Sequence, residues 1–119
     1  MATVLTQVGE EAIVDLIDAA AVWKYVAWGT GAGTAGKGDT TLFTEASEAR
    51  TTGTPSQPLA DKYQVVGTIV CAGAPKTITN AGVFNQLALG GSLLVKGDFT
   101  GIPLLVSDSI QFTFTLEIT

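Results

Sequence analysis

The alternation of apolar and polar positions is clearest in "SIQFTFTLEIT", residues 109–119. Ile110, Phe112, Phe114, Leu116 and Ile118 fall on one side and Gln111, Thr113, Thr115 and Glu117 on the other, an unbroken period of two. This predicts a strand with one face in the core and the other wet or paired. Three more stretches, "KYQVVGTIVCA" (62–72), "KTITNAGVFNQ" (76–86) and "SLLVKGDFT" (92–100), carry β-branched and aromatic residues between Gly, Pro, Asn or Asp boundaries. They read as strands. The glycine-containing "LALGGS" (87–92) between the last two predicts a hairpin, and a short apolar piece at 103–106 leads on to the final strand.

Nearer the start the period changes. In "EEAIVDLIDAAA" (10–21) Ile13, Leu16, Ile17 and Ala20 recur at helical spacing, with Asp15 and Asp18 on another face and Glu10 and Glu11 in the favourable first turn. The spacing predicts an amphipathic helix. "VWKYVAW" (22–28) alternates again, but both of its faces are largely apolar, which predicts a strand covered on both sides. "DTTLFTEASEA" predicts a short helix with Asp39, Thr40 or Thr41 as its N-cap, and the two prolines of "TTGTPSQP" (51–58) predict an exposed loop or bent edge segment. One helix followed by five to seven strands at roughly ten-residue spacing gives a mainly β fold. The expectation is a single domain over 1–119, an antiparallel β-sandwich or barrel, jelly-roll-like, with one short N-terminal helix inside segment 1–21.

Composition adds a direction. Apolar residues make up 46% of the chain and charged residues 14%, against about 25% charged in an average soluble domain. Some apolar surface must stay outside, which implies contact with other subunits. Net charge is −5, and Lys24, Lys37, Arg50, Lys62, Lys76 and Lys96 are scattered singly, so no basic stripe exists to neutralise phosphates. No nucleic-acid partner is expected. The apolar stretch "AIVDLIDAAAV" is interrupted by Asp15 and Asp18, which argues against a signal peptide or a membrane span. No membrane partner is expected either, and the one cysteine, Cys71, reads as a buried inert thiol.

One segment does suggest chemistry. "WGTGAGTAGKGDTT" (28–41) contains G-A-G-T-A-G, which matches a dinucleotide fingerprint, and G-x-x-x-x-G-K, which stops one residue short of a phosphate-binding loop. The strand before it is present, but no helix follows Gly36, and Gly38 stands where a magnesium-binding hydroxyl is needed. The glycines therefore read as a mobile or tightly folded surface loop. With no histidine and one cysteine the chain shows no triad and no zinc spacing, so no catalytic, cofactor-binding or metal residue is assigned and no cofactor is expected. Asp15, Asp18, Glu45 and Glu48 read as solvated helix charges, and Asp98 and Asp108 as markers of turns or strand ends.

Together "WKYVAWGTGAGTAGKGDTTLFTEASEAR", "KTITNAGVFNQLALGGSLLVKGDFTGI" and "DSIQFTFTLEIT" resemble a pattern found in small structural proteins of tailed bacteriophages. Its elements fall on Gly29 to Gly31, Gly38 to Leu42 with Glu45, Thr79 to Phe84, Gly90 to Leu94 and Ser107 to Ile118, and the likeness covers residues 8–119. Two positions depart from it: "SDS" stands where the pattern has "GDS", and "TNAGVF" where it has "TEAGLF". The resemblance implies a non-enzymatic virion protein, assembled in the host cytoplasm. On that reading the chain is a capsid decoration or cement protein, a homotrimer that binds the major capsid protein and clamps adjoining capsomers. The alternative is a tail, baseplate or fibre-attachment component with tail proteins as partners. The lack of a repetitive or coiled-coil shaft favours the first. A third reading, a carbohydrate-binding module, would need Trp23, Trp28 or Tyr63 exposed, whereas such aromatics more often fill a core.

Overall fold

Thr6 starts the helix, its hydroxyl accepting the Gly9 N–H at 3.1 Å. In the computed structural model, which describes residues 1–119, α1 spans Gln7–Ala20 and ends at Ala21 in a left-handed conformation (φ 58°). Seven strands follow: β1 (Tyr25–Gly29), β2 (Thr51–Thr52), β3 (Thr54–Leu59), β4 (Lys62–Val70), β5 (Lys76–Phe84), β6 (Leu93–Leu104) and β7 (Ser109–Glu117). They form two antiparallel sheets packed together, a four-stranded one in the order β2-β1-β5-β6 and a three-stranded one in the order β3-β4-β7. The molecule is a sandwich and not a closed barrel.

Side-chain alternation places the core between the sheets. Val26 and Trp28 of β1, Tyr63, Val65 and Ile69 of β4, and Ile78, Ala81 and Val83 of β5 are buried there together with Cys71. β1 is buried on both faces, as its composition predicts: Ala27 points the other way and meets Leu42 and Phe84 in a second, smaller cluster. The sheets can close this far only because Gly67 lacks a side chain, since a Cβ there would lie 2.7 Å from Val26 Cγ2. β5 and β6 form the expected hairpin across 85–92, and β6 runs on to Leu104, taking in part of the 103–106 piece.

Three expectations need correction. The helix docks through Val14, its one fully buried residue, while Leu16 is 70% exposed and Ala20 is also exposed; Asp18 lies on the docked side, accepting from Gln57 Nε2 at 3.0 Å. The predicted stripe is thus split: Ile17 packs on the core beside Val14 and Ile13 is half-buried, while Leu16 and Ala20 face water. No helix forms after Asp39. Its carboxylate is engaged by Gly36 N–H and Lys96 and caps nothing downstream; Thr44 is left-handed (φ 52°), and the backbone at Glu45 forms an isolated β-bridge with Gly29 instead of a helical turn. Third, the apolar face of β7 packs on the core but stays half-buried along its whole length, because β7 is the last strand of its sheet.

Candidate functional site

The glycine loop is folded down onto the four-stranded sheet. Its two arms run side by side, with Thr30 N–H donating to Thr44 O (3.0 Å) and Gly31 N–H to Phe43 O (2.9 Å). Asn80, fully buried in β5, accepts from Phe43 N–H at 3.0 Å and donates to Phe43 O at 3.1 Å, so one side-chain amide satisfies both backbone groups of one residue. The Phe43 ring lies beneath Gly33, whose φ of +154° and lack of a Cβ let the loop pass over the ring.

Two carboxylates hold the tip. Asp39 Oδ2 accepts from Gly36 N–H (2.9 Å) and from Lys96 Nζ (3.0 Å), and Asp98 Oδ1 accepts from Ala35 N–H (2.8 Å). The Gly36 N–H, with Lys96 second, lowers the Asp39 pKa below its ordinary value. Lys96 also donates to Thr41 O at 2.9 Å and sits 3.2 Å from the Phe43 ring centroid. Between Ala35–Asp39 and Leu93–Lys96 lies an open cleft of about 600 Å³ with Lys37 on its rim. A phosphate entering here would find the Ala35 and Gly36 N–H groups already bonded to carboxylates, Lys96 already engaged by Asp39 and Thr41 O, and the Asp39 carboxylate in the cleft wall. This arrangement fixes the loop; it is not built to receive an anion.

Two further charged knots were not legible as such. Arg50, 5% exposed, makes a two-pronged pair with Glu45 (Nε to Oε2 2.9 Å, Nη2 to Oε1 3.0 Å) and sends Nη1 to the carbonyls of Gln86, Ala88 and Gly90. Its guanidinium also stacks on Phe84, 3.7 Å from the ring centroid. It thereby fixes the 85–92 turn. Glu48 is no solvated helix charge: its side chain is 5% exposed and accepts from Trp28 Nε1 (3.0 Å), Ala72 N–H (3.0 Å) and Lys76 Nζ. Burial alone would raise its pKa, but Lys76 and the two N–H donors outweigh that and bring it down from 4.5 to about 2. A sequence gives the acids and bases but not the fold that brings residues 48 and 76 together.

The remaining candidates resolve simply. Asp108 marks a turn as expected, accepting from Leu105 N–H at 2.8 Å, whereas Asp98 lies inside β6 and not at its end. Cys71 is buried, its Sγ 3.5 Å from Ala74 O. Trp28 and Tyr63 are buried and Trp23 packs half-buried on the core, so these three offer no flat exposed platform. A second open groove of about 500 Å³, lined by Pro75, Lys76, Thr77, Pro103, Leu104, Leu105 and Asp108, lies at the far end of the β5–β6 pair.

A scan against protein-family models finds none that matches the chain, and a search of curated proteins finds no similar sequence. The class that the structure defines is a mainly β protein of two packed antiparallel sheets with one short helix.

Proposed function

We propose that the chain is a non-enzymatic structural component of a tailed-phage virion, a head decoration protein that binds the major capsid protein and stabilises the shell. The observation that carries this reading is the outward side of α1 and the segment before it, where Val4, Leu5, Val8 and Leu16 are 83%, 49%, 75% and 70% exposed. A helix that docks by Val14 and turns this many apolar side chains to water suits a chain that works inside an assembly. The acids speak for the same reading. Glu45, Glu48, Asp39 and Asp98 are each held by N–H or cationic donors that stabilise structure, which leaves them poorly placed for proton transfer. The sequence resemblance supplies the virion setting and, with it, threefold self-association.

The test is a particle that lacks this protein. Its shell should still form but should release DNA at a lower temperature, and adding the protein back should restore the difference. Replacing Val8 and Leu16 with serine should abolish that rescue while leaving the isolated protein folded by circular dichroism. Full thermal stability with lost adsorption to the host would move the protein to the tail. Particles unchanged in both respects would overturn the virion reading.

A further inference from the structure

The free edge of β7 is unlike every other edge in the molecule. β2 has two residues; β3 contains Pro55 and Pro58 and shifts register between Ser56 and Leu59. β6 carries Pro103 and Lys96 and shifts register twice against β5. Such features are the usual protection against edge-to-edge pairing. β7 has none of them. It contains no proline and no lysine, and it runs in unbroken register against β4 from Lys62↔Glu117 to Val70↔Ser109.

Its hydrogen-bonding parity follows from the two ends of that ladder. Cys71 N–H donates to Asp108 O at 2.7 Å and Ile118 N–H donates to Asp61 O at 3.1 Å. The register is continuous between them, so the even-numbered residues of β7 bond β4, and Ser109, Gln111, Thr113, Thr115 and Glu117 turn their N–H and C=O groups outward. No strand pairs with β7 on that side.

We infer that this edge is a self-pairing seam, at which β7 of a second copy adds antiparallel around a twofold axis through Thr113. The side chains choose the occupant. In that register Phe112 meets Phe114 of the second copy, Ile110 meets Leu116, Gln111 meets Thr115 and Ser109 meets Glu117, so apolar faces apolar and polar faces polar at every position. Thr113 meets itself, and the pairs formed by odd-numbered residues are the ones whose N–H and C=O groups are free. The only charge on the strand, Glu117, lands opposite a serine, with the two copies of Glu117 about 27 Å apart at opposite ends. The seam also explains the half-buried aromatic row. Phe112 stacks on Phe114 at 5.8 Å and lies 6.2 Å from Phe99, and the second copy's phenylalanines would extend that row and cover its open side.

The joined molecule has a continuous six-stranded sheet, β3-β4-β7 followed by the same three strands of the second copy in reverse order. This contact does not rest on the virion reading. Being twofold, it makes a dimer by itself and joins trimers in pairs if a threefold contact exists elsewhere.

Cysteine cross-linking tests the register. Paired Cα atoms at a self-opposed position lie about 5.5 Å apart, within disulfide reach. Thr113→Cys should therefore form a covalent dimer under mild oxidation. Gln111→Cys alone should not, whereas an equimolar mixture of Gln111→Cys and Thr115→Cys should. Thr113→Lys puts two ammonium groups face to face at the axis and should weaken association by about tenfold or more in sedimentation equilibrium, with an unchanged circular dichroism spectrum. A protein that stays monomeric, or one whose association ignores Thr113→Lys, overturns the seam. Equal cross-linking by the Gln111→Cys and Thr113→Cys proteins, or capture of a foreign strand in place of a second copy, overturns it as well. None of these results bears on the particle experiment above.

Discussion

At the scale of single residues, the two departures from the phage-protein pattern fall on positions with specific demands. Asn80 both donates to and accepts from Phe43, which an acidic residue cannot do without protonation. Asn80→Asp should therefore cost about 2 to 4 kcal/mol, since it removes the two bonds that Nδ2 donates, to Phe43 O and Thr79 Oγ1, and buries a carboxylate against a carbonyl oxygen; urea denaturation would measure it. Ser107, where the pattern has glycine, sits at φ 82° in a tight turn in which Asp108 N–H bonds Leu105 O. Ser107→Gly should raise stability by about 0.5 to 1 kcal/mol, the relief of a left-handed residue offset by extra freedom in the unfolded chain. Glu48 sets a pH dependence. Its folded pKa of about 2 lies below the ordinary 4.5, so its stabilisation is complete above about pH 4.5 and is lost as pH falls toward 2, about 3 kcal/mol in all. In Glu48→Gln that contribution to the acid limb of the urea midpoint against pH should disappear, while stability at pH 7 falls.

At the scale of elements, the helix offers the sharpest comparison. Val14→Ala should cost about 2 kcal/mol because the residue is fully buried, whereas Leu16→Ala in the isolated protein should change stability by less than about 0.5 kcal/mol. Thermal melts of the two variants would reverse that order if Leu16 rather than Val14 faced the core. Strands were legible where the period of two or the β-branched content persists: 62–72, 76–86, 92–100 and 109–119 contain β4, β5, most of β6 and β7. The edge character of 51–58 was also legible from its prolines. What the local pattern could not carry were decisions made by distant partners. Asp39 resembles an N-cap until Lys96 of β6 engages it, Glu48 resembles a surface acid until Trp28 and Lys76 surround it, and Asp18 resembles a solvated charge until Gln57 of β3 bonds it on the docked side. The closed state of the glycine loop was open to two readings in the sequence, and Asn80 and Asp98 decide it from strands about 40 to 60 residues away.

At the scale of the whole molecule, the apolar surplus stays on the surface. Only 20 of 119 residues are buried, and the body is elongated, 54 × 26 × 23 Å, with a radius of gyration of 15.3 Å where about 13.5 Å is usual for this length. Each copy also carries a charge of −5, which opposes any contact between copies. Self-association should therefore tighten between about 0.01 M and 0.15 M salt as screening shortens from about 30 Å to about 8 Å. Weakening over that range in sedimentation equilibrium would indicate opposite charges at the contact instead. The pairing of β4 with β7 has a further consequence, one of timing. β4 is finished at Val70, yet its partner is not synthesised until Ser109–Glu117, roughly 40 residues later, a delay of about two to eight seconds at translation rates of 5 to 20 residues per second. Through that interval β4 is paired only with β3, and only over Lys62–Val66, so its other edge stands open to misassociation until the strand that pairs with it has been made.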